Sequence, residues 1–184
     1  MGHRAVKAAL VAKLTEQLPG WTDLPVTVDR ADSMPTDDKR WPFVIVRTTR
    51  MNAATNLATD RLVCVYRCEV TCGVRSVSGD RDASLDDATD TRDDLIEAVR
   101  WVLRSSRGLG GGMRVTTDEL TETTAPAVLE GKGPAIALGT TTFTVSANES
   151  IPTPSGRIPD PEVTDVDVTV TPHPADFGTL LGAT

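Results

Sequence analysis

The chain reads as an α+β domain: a mixed or antiparallel β-sheet covered by two α-helices, with an extended C-terminal arm. Three observations predict it. Apolar residues recur at spacings of three and four over residues 4–18 and again from 85 to about 106, whereas they alternate with polar ones over residues 62–75. The resulting order is helix, short strand, strand, long strand, crossing helix, strand and long strand, without the repeated alternation of a doubly wound enzyme. Composition then changes, because residues 148–184 hold six of the twelve prolines. This gives a folded domain over 1–149 and a proline-rich assembly arm over 150–184.

A length of 184 residues suits one substantial domain with an extension. Hydrophobic residues make up 39%, but with three Phe, three Trp and one Tyr the core must be filled chiefly by Val, Leu, Ala and Ile. A net charge of -7 argues against a broad basic face for nucleic acid. No apolar run is long enough to cross a bilayer, and the N-terminus lacks the basic, apolar and cleavage segments of a secretory signal. The default expectation is a soluble intracellular chain with no membrane partner.

Residues 4–18 form the first amphipathic helix, with Val6, Ala9, Leu10, Leu14 and Leu18 on one side and Arg4, Lys7, Lys13 and Glu16 in solvent. Pro19-Gly20 ends it, and His3 reads as a terminal residue. Pro25–Asp29 is a short extended segment, followed by a polar surface connection that Trp41 and Phe43 anchor. The β-branched run of residues 43–50 is a strand, and residues 51–60 a hairpin connection. Leu62, Cys64, Tyr66, Cys68, Val70, Cys72 and Val74 then share one face of the strongest strand.

In the central helix, Ser84 offers an N-cap and Asp87, three positions on, the reciprocal partner. Leu85, Ala88, Arg92, Leu95, Ile96, Val99, Val102 and Leu103 face a sheet, leaving Asp86, Asp90, Asp93, Asp94, Glu97 and Arg100 wet. Gly108 stops the helix after Arg104 and Arg107. Residues 113–122 resume a strand, 121–134 connect, and 135–147 form the last long strand, with Thr141, Phe143 and Val145 on one side.

Chemical motifs are weak. Cys64, Cys68 and Cys72 lie four residues apart on a strand, roughly 13 Å, too far for neighbouring sulfurs to share one ion or to pair, so they read as buried thiols. The Gly108–Gly112 cluster follows a helix and lacks a Gly-Lys-Ser/Thr ending, which makes it a turn and not a phosphate loop. Residues 80–97 carry eight acids against two arginines, but no histidine or calcium-loop spacing joins them. No nucleophile, base and acid are arranged together, so the sequence calls for no catalytic residue, cofactor or metal.

The arm combines Pro152, Pro154, Pro159 and Pro161, which favour an extended approach, with Val166, Val168 and Val170 on one side of a short strand able to add to a sheet edge. Phe177, Leu180 and Leu181 supply a second anchor. These six apolar residues are the candidate partner-binding set.

Taken together, residues 4–14 followed by Leu18-Pro19-Gly20, the strand Val63 to Val74, the helix stretch 91–100, and the closing Phe143-Thr144-Val145 with Glu149 resemble the tail terminator proteins of long-tailed bacteriophages, particularly those infecting actinobacteria. The resemblance covers residues 4–149, and the chain beyond Glu149 departs from a compact version of the family. It implies a virion protein of the tail-neck junction, assembled in the bacterial cytoplasm. There a ring, usually a homohexamer, caps the completed tail tube and touches the tail-tube protein and a head-completion or neck protein. In such a ring the acidic surface of Asp86, Asp90, Asp93 and Asp94 is expected to face the lumen, where DNA passes without sequence-specific binding. The alternatives are a head-completion or neck adaptor protein, and a soluble enzyme whose carboxylates converge from distant parts of the sequence.

Overall fold

The computed structural model describes residues 2–30, 40–58, 61–77, 80–105, 107–130 and 134–150, with side chains for all of these except 52–58, 61 and 150. The arm's candidate contacts Val166, Val168, Val170, Phe177, Leu180 and Leu181 therefore lie outside the described residues.

Helix α1 runs from His3–Gln17 and tightens into a 3-10 turn at Leu18–Gly20, where Pro19 cannot continue the α-helical ladder. Val6, Leu10, Leu14 and Leu18 are buried, as their spacing predicts. Lys13, expected in solvent, is buried too. It lies seven residues after Val6 and three after Leu10, so its aliphatic stem falls on the apolar side. Burial lowers its amine pKa, and Glu16 opposes the shift.

Strand β1, Thr27–Asp29, is shorter than the extended segment expected. Strand β2, Phe43–Ala58, overturns the hairpin reading of residues 51–60, because the chain stays in the sheet to Ala58 and β3 begins at Arg61. Pairing with β3, Arg61–Ser76, is kept through register shifts at Thr48/Arg50, Met51/Ala53 and Asn56/Ala58. The ladder thus overrides the poor strand preference of Met51-Asn-Ala-Ala, and irregularities absorb the misfit.

Helix α2, Arg81–Ser105, starts four residues before the expected Leu85. The Asp80 carboxylate accepts a hydrogen bond from the Asp82 N–H at 3.2 Å, while Ser84 is buried in the first turn and donates its hydroxyl to the Asp80 carbonyl at 2.9 Å. Asp87 accepts from the Ser76 hydroxyl of β3. The Ser84–Asp87 cap is therefore corrected to an Asp80 cap, and Asp87 docks the helix on the sheet.

Beyond α2, β4 (Gly108–Gly110) turns into β5 (Met113–Thr124) through Gly110, Gly111 and Gly112 at φ 79°, 57° and 77°. Only glycine enters three such positions in a row without steric cost, which accounts for the cluster. The expected connector over 121–134 contains the end of β5 and a short β6, Val128–Leu129, before β7, Ala135–Ser150.

The strand order is β1-β2-β3-β7-β5-β4, with β6 on β7. Only β1 pairs in parallel, so the sheet is mixed. Both helices cover one face: Cys68, Val70 and Cys72 of β3 and Phe143 and Val145 of β7 form the core with Leu10 and Leu14 of α1 and Leu95, Val99 and Val102 of α2. A smaller alanine cluster, Ala88, Ala135 and Ala137, closes the start of α2. Gly139 sets the helix-to-sheet distance, since a Cβ there would stand 2.3 Å from Ile96 Cδ1.

Candidate functional site

The outer side of α2 is a charged surface. Asp86, Asp90, Asp93 and Asp94 are all exposed, because the apolar positions between them turn to the core. The four are not equivalent. Asp93 pairs with Arg92, whose guanidinium is 6% exposed and reaches Asp93 Oδ1 at 2.7 Å while donating to the Ala125 carbonyl at 2.6 Å. Arg92 thus ties α2 to the segment after β5. Arg100, seven residues on from Asp93, holds Glu122 of β5 through two bonds of 2.7 and 2.8 Å, and this pairing raises the Arg100 pKa. Arg100 therefore stands on the flank of α2 beside β5, and Asp94 on the side toward Trp21.

A concavity of opposite character lies between α1 and the β1–β2 edge. Its volume is about 740 Å³, and His3, Arg4, Lys7, Arg30 and Thr48 line it. Lys7 Nζ approaches the Arg30 carbonyl at 3.5 Å. His3, expected to be a bare terminus, meets the Tyr66 ring edge-on at 4.9 Å. Sequence patterning does not reveal this site, because His3, Arg4 and Lys7 of α1 must meet Arg30 after β1 and Thr48 of β2. Near the other end of α1, Trp21 and Trp101 stack at 5.8 Å, both exposed, with Asp94 and Glu97 beside them. A contact between α1's exit and α2's last turns could not be read from either segment alone.

Cys64, Cys68 and Cys72 are buried free thiols on the core face of β3, as the alternation predicts. Burial, reinforced by Glu69 for Cys68 and by Glu122 for Cys72, pushes these two from 9.0 up to about 12, so both are protonated at neutral pH. Tyr66 donates its hydroxyl to Glu149, and burial together with that bond raises its pKa. The carboxylate at the far end of β7 is thereby fixed to the middle of the sheet. Among the described residues, no three His, Cys, Asp or Glu side chains gather in a metal-binding arrangement.

The sheet face away from the helices is mixed: Phe43 and Ile45 of β2 are buried on it beside Gly73 and Thr71 of β3, and a polar, Thr-rich stretch follows. Thr71 and Thr140 meet hydroxyl to hydroxyl at 3.2 Å, and Arg47, Glu69 and Thr142 follow in register. Among the described residues neither helix packs on this face. From Val46 to Ala58, β2 has β3 on one side and, among the described residues, no strand on the other.

A scan against protein-family models matches none, and a search of curated proteins finds no match.

Proposed function

We propose that the chain is a structural subunit that closes a phage tail tube as a ring, in the manner of the tail terminators its sequence resembles. The observation that carries this reading is the unfinished sheet. Strands β2, β3 and β7 have sixteen residues each, so each spans roughly 50 Å, against roughly 37 Å for α2. Ordinary strands have about five or six residues. Strands of this length, with an edge over Val46–Ala58 that no strand among the described residues covers, offer a surface that a repeated heterologous contact can complete, and repetition around an axis closes a ring.

On this reading the ring is a hexamer that touches the tail-tube protein on one side and a head-completion or neck protein on the other. The acidic surface of α2, Asp86, Asp90, Asp93 and Asp94, lines the bore and repels the passing phosphates. The arm over 150–184 contributes contacts through Val166, Val168, Val170, Phe177, Leu180 and Leu181. Native mass measurement across a concentration series, with and without tail-tube protein, tests the reading: a discrete ring is expected, and a monomer under every condition overturns it.

A further inference from the structure

Among the described residues, the two edges of the sheet carry local patches of opposite charge, a basic one beside the Asp29–Arg40 pair at β1 and an acidic one beyond Arg114 of β5. At the β1 edge, His3, Arg4, Lys7 and Arg30 line the concavity of about 740 Å³ against Thr48 of β2. At the β5 edge, Asp118 and Glu119 are exposed where the register with β7 breaks between Thr116 and Thr121. On the helix side of this edge, Arg100 of α2 holds Glu122 of β5. Strands β2, β3 and β7 separate the basic edge from the acidic one in the strand order. In a chain of net charge -7, a basic concavity on one lateral edge is a local reversal of the overall field.

We infer that the basic concavity receives the β5 edge of a second copy of this chain, so that neighbouring subunits join head to tail through Arg4 and Arg30 on one and Asp118 and Glu119 on the next. The inference rests on the ring reading above and names the surfaces that make its lateral joint. Charge complementarity favours the second copy as occupant, because the same chain presents both halves of the contact at opposite edges. That is the condition for a heterologous interface that repeats. The joint uses none of the α2 acids Asp86, Asp90, Asp93 and Asp94, which stay with the bore. Because both surfaces are solvent-accessible before docking, association should weaken with rising salt.

The test is charge exchange in the full-length chain, read by sedimentation velocity and native mass at fixed ionic strength. Arg4→Glu with Arg30→Glu, and separately Asp118→Lys with Glu119→Lys, place like charges across every joint. Each is expected to weaken association at least about tenfold. All four positions are exposed, so circular dichroism should show both variants folded. The two variants mixed in equal amounts meet only opposite charges when they alternate, and the mixture should recover rings of even copy number with both chains in equal proportion. Wild-type rings that persist in both variants, or a mixture that stays dissociated, overturn the inference while leaving the ring reading intact. A wild-type chain that never associates refutes the ring reading itself. Loss of binding to a short DNA duplex in the arginine variant, with association unchanged, would assign the concavity to phosphate and also overturn the joint.

Discussion

Gly139 offers a direct check on how α2 sits on the sheet. An alanine Cβ at this position would stand 2.3 Å from Ile96 Cδ1, 3.3 Å from Ile96 Cγ1 and 3.4 Å from Arg92 Cδ. Ile96 is 3% exposed and surrounded by core, so it cannot swing away freely. Overpacking of this kind costs roughly 1–3 kcal/mol, and the lower entropy of an unfolded chain with alanine returns roughly 0.4–1 kcal/mol. Gly139→Ala should therefore destabilise the domain by about 1–2 kcal/mol, a fall in Tm of roughly 2–8 °C. Ile96→Val removes the offending Cδ1 and on its own costs roughly 0.5–1.5 kcal/mol. The double variant then carries the cost of the lost methyl without the collision, and the two changes couple favourably by about 1 kcal/mol or more. Urea denaturation of the four chains gives the cycle. Strict additivity, or a neutral Gly139→Ala, would refute the close approach of α2 to β7.

The core thiols should be unreactive in the folded protein, with neither Cys68 nor Cys72 titrating with a thiol reagent at pH 8 until denaturant is added. Because the folded thiol pKa of both is raised to about 12, their contribution to stability is fully present below the unfolded value of 9.0 and is lost as pH rises towards 12, which alkaline melts should show. A chain ending at Glu149 should keep its melting temperature within about 2 °C, since it retains every core residue among the described ones, yet lose association with ring partners; unchanged assembly would make the arm dispensable. Asp90→Lys with Asp94→Lys should leave the fold unaltered and slow passage of DNA through assembled particles, measured as ejection rate, because the bore would then hold phosphates.

Much of the architecture was legible because periodicity and burial act together. The spacing of Val6, Leu10 and Leu14, and of Leu95, Val99 and Val102, reports a helix with one buried side, and alternation from Cys64 to Val74 reports a sheet with one covered face. What was not legible depended on partners distant in sequence. Residues 51–58 look like a connection and become strand because β3 lies beside them. Asp80 caps the helix and Ser84 falls inside its first turn, while Asp87 is taken by Ser76 of β3. Lys13 follows the helical period into the core against its own chemistry. The exposed acids of α2 were visible in the sequence, but the basic concavity was not, since α1, the end of β1 and β2 must first be assembled for His3, Arg4, Lys7, Arg30 and Thr48 to share a surface.

Symmetry-resolved imaging of an assembled particle that contains this chain would show whether it closes a tail tube. A ring of six copies is expected at the junction of tube and neck, joined laterally from the Arg4–Arg30 edge of each copy to the Asp118–Glu119 edge of the next, with Asp90 and Asp94 facing the bore. Density for the chain elsewhere in the particle, or no ring of this chain at the junction, would contradict it.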